Sequence, residues 1–295
     1  MWTRRLLSKA GVRVYGLGAM ALGLVGLVWG DFADAWQPIQ AFGNVPHREL
    51  LAYCAAVLEL AAGAAIQWRR TARAGVLVSG TLFFIFACFW LPRVIGFPQI
   101  FGTWGGFLEA FSLVAGAVVL YASLASAESM NVVRAAYLGR VLYGICVLGF
   151  AMDHFLYIQQ TADMVPKWIP PGQHFWAVAT GIFHLLAGLA ILTGVLDSLG
   201  SRLLTLMLIV FGALVWLPRL VTAPHAHMSW AGNAIHLALT GAAWVIADAI
   251  ASRDCGPVTK ESMLPSEFFS VEAMRHRRAI RRDGPSEPEF EVPAV

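Results

Sequence analysis

The chain contains little charge. Asp, Glu, Lys and Arg make up 13% of its 295 residues, and hydrophobic residues make up 58%. Soluble globular domains carry about 25% charged residues, so this composition excludes an ordinary soluble domain. The polar residues gather between apolar stretches of about 20 residues, the length that crosses a hydrocarbon core of about 30 Å. We therefore predict an α-helical membrane protein that spans the lipid bilayer several times.

Lysine and cysteine are scarce, and their positions exclude further classes. Lys9, Lys167 and Lys260 lie outside the apolar stretches, which excludes a retinal Schiff base. Neither a phosphate-binding loop nor a dinucleotide motif occurs, which argues against a nucleotide-driven pump. No Cys-x-x-Cys pair occurs, so neither a thiol redox pair nor a zinc site is indicated. The net charge of +3 does not indicate a nucleic-acid partner, because the basic residues lie at the ends of the apolar stretches, where membrane topology accounts for them.

What the sequence does contain is an internal repeat. The segment Trp90-Leu91-Pro92-Arg93 recurs 126 residues later as Trp216-Leu217-Pro218-Arg219, each time at the end of an apolar stretch. Trp104 and Gly106 match Trp230 and Gly232 at the same shift. Upstream the shift is 125 residues, and it pairs Pro46 with Pro171, Glu59 with His184, Gly63 with Gly188, and Ala65-Ile66 with Ala190-Ile191. Self-similarity at a fixed period indicates a tandem duplication.

Eight apolar spans are predicted, four in each repeat. They run near 11–30, 48–67, 72–90, 104–124, 135–152, 174–194, 200–217 and 229–250. Because four is an even number, each repeat begins and ends on the same side of the membrane, so the two repeats are parallel. The predicted fold is an all-α integral membrane protein with two parallel four-helix repeats, at residues 1–130 and 131–252. A largely disordered cytoplasmic tail is predicted at 253–295.

Basic residues predict the orientation. Of the 21 Lys and Arg residues, 17 fall on the side of the two termini and 4 on the other side. Cytoplasmic loops carry the excess of basic residues, so both termini are predicted to be cytoplasmic in a bacterial-type inner membrane. In the tail, Ser266 to Arg282 could form a basic helix at anionic lipid, or the tail is simply disordered. The N-terminus resembles a cleavable secretory signal, but the match of Arg13-Val14 with Arg140-Val141 favours a retained first span.

The run from Ile39 to Ser123 resembles the DoxX family. The matching features are a Pro-containing outer loop, the segment from Leu51 to Glu59 with Gly63 four residues on, an Arg-bearing turn and a Gly-rich fourth span. The resemblance implies a four-helix membrane unit similar to subunits of a quinone-linked thiosulfate oxidoreductase. The second repeat departs from it, because His184 replaces Glu59, so any role of the family glutamate is carried over to Glu59 alone.

Two ionisable residues are predicted deep in the bilayer. Glu59 lies about 11 residues into its span, hence roughly 17 Å deep, and His184 lies about 10 residues into the matching span, at a similar depth. Such residues cost several kcal/mol and are functional candidates. We predict that they form a buried polar pair across the repeat axis, which either relays protons and contacts a quinone or only locks the repeats together.

An outward-facing cleft is predicted between the repeats. The candidate ligand-binding residues share the outer half of the spans and are Trp90, Arg93, Glu109, Asp153, Trp216, Arg219 and His236. Arg93 is expected to pair with Glu109, and Arg219 with Asp153; the alternative is that both arginines reach lipid headgroups. Aromatic walls with few polar groups suit a quinone head, and two arginines would equally suit an anion.

Histidines in the second half are the weaker candidates for a metal or haem site. They are His154, His184, His225, His227 and His236, and isolated helical histidines are more often core residues. The sequence identifies no catalytic residue. The leading hypothesis is a DoxX-like protein that supports a redox system by binding quinone or anchoring a partner oxidoreductase, at most as a membrane subunit of that enzyme. The alternatives are a small-molecule or proton transporter with its pathway between the repeats, or a structural subunit, and any of these could form a homo-oligomer.

The predicted orientation can be tested by thiol labelling. A membrane-impermeant maleimide added to intact cells should label cysteines introduced at Thr161 and Pro224 but not Cys255, because only the first two lie on the sparsely basic side. In inverted membrane vesicles the pattern should reverse. Labelling of Cys255 in intact cells would show that the orientation is wrong.

Overall fold

The described part of the chain is helical throughout. The structure, a computed structural model, describes residues 9–33, 35–39, 45–125 and 129–254, and contains no β-strand among them. The α-helices are α1 (Lys9–Trp29), α2 (Arg48–Ile66), α3 (Ala72–Gly96), α4 (Phe101–Ser123), α5 (Met130–Leu156), α6 (Ile158–Met164), α7 (Gln173–Thr193), α8 (Asp197–Phe211), α9 (Leu217–Thr222) and α10 (His227–Asp254). A π-helical segment, Gly212–Trp216, joins α8 to α9. The tail, with Cys255 and the helix predicted at Ser266 to Arg282, lies outside the described residues.

Eight of these elements are long and apolar enough to cross a membrane, as predicted. They are α1 to α5, α7, the continuous run from α8 to α9, and α10. The protein is therefore a multi-pass α-helical membrane protein. Several boundaries differ from the prediction, since α5 extends from Met130 to Leu156 and the seventh span continues to Thr222. Helix α3 continues through Pro92 to Gly96, because a proline inside a membrane helix is tolerated where neighbouring groups satisfy the freed carbonyl. The short helix α6 was not predicted.

The helices pack so that α4 and α10 meet in the middle of the molecule. Helix α2 packs between α1 and α3, and α3 packs on α4; likewise α7 packs between α5 and α8, and α8 packs on α10. Helix α1 also packs on α10, and α5 packs on α4. Each of these contacts among the first four spans therefore has an equivalent contact among the last four. The tandem repeat remains a prediction from the sequence, and this is the contact pattern that such a repeat requires.

Small residues let the central helices approach closely. A side chain at Gly241 of α10 would collide with the backbone of Tyr15 in α1, and one at Gly18 of α1 would collide with Ala238 of α10. Tyr15 is fully buried there, and its hydroxyl donates a hydrogen bond to the carbonyl of Leu113 at 3.0 Å. Helices in lipid associate through such contacts, since lipid tails are as apolar as the side chains.

At the predicted cytoplasmic end, one buried carboxylate joins three helices of the second half. Asp197, in the first turn of α8, forms ion pairs with Arg140 of α5 at 3.0 Å and Arg253 of α10 at 2.8 Å. Its side chain is 5% exposed. Because a buried carboxylate is costly unless it is paired, these ion pairs hold the start of α8 against Arg140 of α5 and the end of α10.

The contact between α1 and α10 can be tested with a single methyl group. We expect Gly241→Ala to lower the stability of the detergent-solubilised protein by about 1–3 kcal/mol, because overpacking against backbone atoms forces the helices apart. Gly96→Ala is the matched control, since no atom lies within 4 Å of a Cβ built there. Equal thermal unfolding temperatures for the two variants would contradict the close contact.

Candidate functional site

Part of the connection between α1 and α2 is buried among the helices. Its residues 31–33 and 35–39 are called here the inserted loop. The side chains of Phe32, Trp36, Gln37 and Ile39 are each less than 10% exposed. Phe32 packs edge-on against Phe86 of α3, with ring centroids 6.2 Å apart. The inserted loop therefore lies inside the helical bundle, and Gln37 is the polar residue among these four.

The inserted loop provides the partner of the buried Glu59. The Gln37 amide donates a hydrogen bond from Nε2 to Glu59 Oε1 at 2.8 Å, and its Oε1 accepts one from the Ala33 backbone N–H at 3.0 Å. Glu59 is 2% exposed. The Gln37 side chain thus uses both ends of its amide, and it holds the carboxyl of α2 and the loop backbone together.

The structure separates Glu59 from His184. His184 lies on α7, where its Nδ1 hydrogen-bonds the Thr180 carbonyl at 2.9 Å and its ring lies beside that of His154. No hydrogen bond or ion pair joins it to Glu59 among the described residues. The expected direct pair is therefore not formed, because Gln37 occupies the position next to Glu59 that was assigned to the imidazole.

Two further carboxyls lie near the predicted outer end of the bundle. Glu109 of α4 lies within hydrogen-bonding reach of the Trp36 side chain. The carboxyl of Asp153 on α5 packs against Gly105 of α4, one helical turn from Glu109, where any larger residue would displace it. Neither carboxyl forms an ion pair with Arg93 or Arg219 in the described part of the chain. The expected Arg93–Glu109 and Arg219–Asp153 pairs are therefore absent.

Both arginines instead lie over the tryptophans of their own motifs. The Arg93 guanidinium is 5.1 Å from the Trp90 ring centroid, and that of Arg219 is 4.7 Å from Trp216. A planar guanidinium is attracted to the negative face of an indole ring, which explains the preference. Each indole in turn lies against a glycine of the following span, Trp90 against Gly106 and Trp216 against Gly232. The two motifs make equivalent contacts.

The cleft predicted between the halves contains the inserted loop. Trp36 meets Trp216 edge-to-face, with ring centroids 5.9 Å apart, and also reaches Glu109. The predicted cleft residues are thus brought together in part. Trp216 contacts His236 and the loop, whereas Trp90 packs with Phe107 and Phe111 in a separate cluster. An outward opening lined by all seven residues is therefore not the arrangement found.

A groove of about 800 Å³ lies between α1, the run from α8 to α9, and α10. Its walls include three tryptophans, Trp29, Trp230 and Trp244, and its polar residues include Asn233 and His236. This volume is within the range of about 300–1,000 Å³ that small-molecule sites occupy. Of the predicted ligand residues, His236 lines this groove.

Hydrogen bonds fix the ring of His236 in one state. Its Nε2 lies 2.7 Å from the carbonyl oxygen of Leu208 on α8. A carbonyl can only accept, so Nε2 carries the hydrogen and Nδ1 of the neutral ring is the acceptor. The ring also stacks on Trp216 at 6.2 Å, and Asn233 donates from Nδ2 to the carbonyls of Trp216 and Ser229, at 2.8 Å each. The groove therefore holds a positioned hydrogen-bond acceptor.

The remaining histidines fall into separate places. His154 and His184 have ring centroids 4.6 Å apart, whereas His227 stacks on Trp29 at 5.2 Å and His225 is exposed. His184 and His236 have different neighbours, so the structure does not bring them together as an axial haem pair. Among the described residues, no group of three or more metal-binding side chains occurs.

Sequence reasoning missed Trp36, Gln37 and Asn233. The available signal was the pair of aromatic residues Phe32 and Trp36 in a connection between two spans. Large aromatic residues are uncommon in a connection exposed to water, so they indicate that this one is buried. Asn233 offered no such signal, because its role depends on the carbonyl of Trp216, 17 residues earlier.

Comparison with known proteins supports the family prediction. Residues 135–217 match the family model described as DoxX. This segment runs from within α5 to the start of α9, so the match lies in the second half, whereas the resemblance in the sequence was drawn from the first. No curated protein and no solved structure gave a match to the chain.

The new partner of Glu59 can be tested with a double-mutant cycle. We expect Glu59→Leu and Gln37→Leu to be non-additive by about 0.5–3 kcal/mol in unfolding free energy, because each variant removes the same hydrogen bond. The control cycle, Glu59→Leu with His184→Leu, should be additive to within about 0.5 kcal/mol. If the control cycle were non-additive instead, Glu59 and His184 would interact directly, as the sequence analysis predicted.

Proposed function

We propose that this membrane protein, with its DoxX-type segment at residues 135–217, binds a quinol in the groove beside α10 and serves a membrane redox system. The observation that carries the proposal is the acceptor Nδ1 of His236 in an aromatic groove. The proposal concerns a binding function, and assigns no catalytic step to the chain.

The groove borders side chains that face lipid. Leu24 and Val28 of α1 are 51% and 72% exposed, and Leu217 of α9 is 56% exposed; all three line the groove. In a membrane-spanning chain, exposed apolar side chains of this kind contact acyl chains. A ligand dissolved in the bilayer could therefore enter sideways, which suits a quinol with its apolar tail and flat head.

The polar groups of the groove favour the reduced form. His236 Nδ1 can accept a hydrogen bond from a quinol hydroxyl, whereas a quinone carbonyl cannot donate one. Both amide hydrogens of Asn233 are directed at backbone carbonyls, so they do not favour the quinone. The tryptophan walls would hold the ring by stacking. A bound quinol supplies two electrons and two protons, and the chain contributes its binding and orientation.

This function requires a partner, because a quinol delivers its electrons to another redox group. We propose a membrane-associated oxidoreductase in that role, as the DoxX resemblance implies. The protein would then hold the quinol within reach of its partner and anchor that partner to the membrane.

A second candidate function is favoured by the unpaired carboxyls. Glu59, Glu109 and Asp153 lie in membrane-spanning helices, and no ion pair joins them to Lys or Arg in the described part of the chain. Two of them contact consecutive residues of the inserted loop, Gln37 and Trp36. Intramembrane carboxyls without basic partners mark proton and ion pathways, so a proton-coupled transporter with the inserted loop as its outer closure is the alternative.

The quinol site can be tested with His236→Phe, which keeps a flat ring and removes the acceptor. We expect a short-chain benzoquinol to bind about tenfold more weakly, the loss of about 1.4 kcal/mol that one hydrogen bond represents. Binding of the oxidised benzoquinone should change little. Titration of the purified protein in nanodiscs, followed by quenching of tryptophan fluorescence, measures both forms, and the exposed His225→Gln is the matched control.

Two results would count against the groove. Equal binding of the quinol to wild type and His236→Phe would remove His236 from the site. Loss of quinol binding in Arg93→Gln with Arg219→Gln, while His236→Phe still binds, would place the ligand in the outer cleft that the sequence predicted.

A further inference from the structure

We propose that the two Trp-Leu-Pro-Arg motifs are equivalent binding sites, each for the phosphate of one anionic phospholipid in the predicted outer leaflet. Arg93 of α3 and Arg219 of α9 are the residues that bind the phosphate. Neither arginine lines the groove beside α10. The inference therefore goes beyond the proposed quinol binding and does not depend on it.

Both guanidinium groups lack a carboxylate partner. Among the described residues, neither Arg93 nor Arg219 forms an ion pair or donates a hydrogen bond, and each guanidinium lies over the indole of its own motif. Arg48, also on the predicted outer side, differs, because it pairs with Asp31 at 2.6 Å. The five N–H donors of each motif arginine are therefore without an acceptor in the described part of the chain.

The position of each arginine calls for an anion. Both side chains are partly buried, and both lie in the last turn of a helix. A helix C-terminus carries only about half a negative charge, so part of the positive charge stays unneutralised. Since a charge withdrawn from water is costly unless it is paired, a phosphate would stabilise each site. The planar guanidinium binds phosphate through two parallel N–H groups.

The neighbouring surface favours a phospholipid over an anion from water. The equivalent residues Ile95 and Val221, two positions after each arginine, are 76% and 82% exposed. In a membrane-spanning chain, exposed apolar side chains of this kind contact acyl chains, so a phosphate that carries acyl chains gains contacts from both of its parts. A lipid with a net negative charge, such as phosphatidylglycerol, neutralises the guanidinium. A zwitterionic lipid brings a positive charge of its own and suits the site less well.

The repeated geometry predicts two sites of the same construction. Each indole lies against a glycine of the following span, Trp90 against Gly106 and Trp216 against Gly232, where a Cβ would overlap the ring. The glycine lets the indole pack closely on that span, and the indole in turn positions the guanidinium by attraction to its ring. Because both halves form this contact, we expect the protein to bind two such lipids.

The test is native mass spectrometry of the full-length protein in detergent, titrated with phosphatidylglycerol or with phosphatidylethanolamine of the same acyl chains. Wild type should bind two molecules of phosphatidylglycerol about tenfold more tightly than phosphatidylethanolamine, since hydrogen bonds to charged groups are the stronger ones. Arg93→Gln and Arg219→Gln should each remove one of the two tight sites, and the double variant should remove both. Lys167→Gln is the matched control. It removes an exposed positive charge of the predicted outer side and should bind as wild type does.

Three results would overturn the proposal. The first is a double variant that keeps the preference for phosphatidylglycerol. The second is an equal loss in Lys167→Gln, because general surface charge would then explain the binding. The third is displacement of the lipid by inorganic phosphate at millimolar concentration, which would show a site for a free anion.

A Gln variant that fails to fold is identified by its unfolding temperature, and the double variant Arg93→Lys with Arg219→Lys then decides. Lysine keeps the charge but not the paired N–H donors. Weaker binding of phosphatidylglycerol than in wild type would support the proposal, and equal binding would overturn it.

Discussion

The bilayer interior offers no water to a polar group, so a buried carboxyl there is stabilised by a partner inside the chain. Glu59 shows how this constraint shapes the fold. Its carboxyl lies within α2, and the connection from α1 enters the bundle to bring Gln37 to it. The entry of that loop in turn brings Trp36 against Trp216 and near Glu109. The hydrogen bond to one buried acid thus helps to position the inserted loop, whose Trp36 lies against Trp216.

The two halves keep the same helix neighbours but differ in chemistry. The first half contains Glu59 and the loop that contacts it. The second half contains His154, His184 and His236, each with one ring nitrogen on a backbone carbonyl. Because those carbonyls fix the tautomer, the free nitrogen is an acceptor in all three. The second half therefore presents oriented lone pairs, which suit ligands that donate hydrogen bonds.

The sequence predicted the helical class and the eight spans, because apolar stretches of bilayer length leave few alternatives. It also predicted which residues are polar and deep, since Glu59 and His184 are both buried. It did not predict their partners. Whether Glu59 meets His184 or Gln37 depends on the path of a connection, and whether Arg93 meets Glu109 or Trp90 depends on a balance between an ion pair and ring stacking. Which partner each residue contacts depends on three-dimensional packing, and the periodicity of the sequence carries no information about that packing.

The π-helical segment at Gly212–Trp216 explains why the spacing between matched positions of the two halves changes by one residue. Matched positions lie 125 residues apart up to Ile191 and 126 apart from Trp216, so in the tandem repeat that the sequence predicts the second half has one more residue between them. A residue added to a regular α-helix would rotate everything after it by about 100°, and would turn Trp216 away from Gly232. The widened turn absorbs the addition, so Trp216 and Arg219 keep the orientation of Trp90 and Arg93. It also places Gly212 beside His236, so in the predicted repeat the one added residue also shapes the wall of the groove.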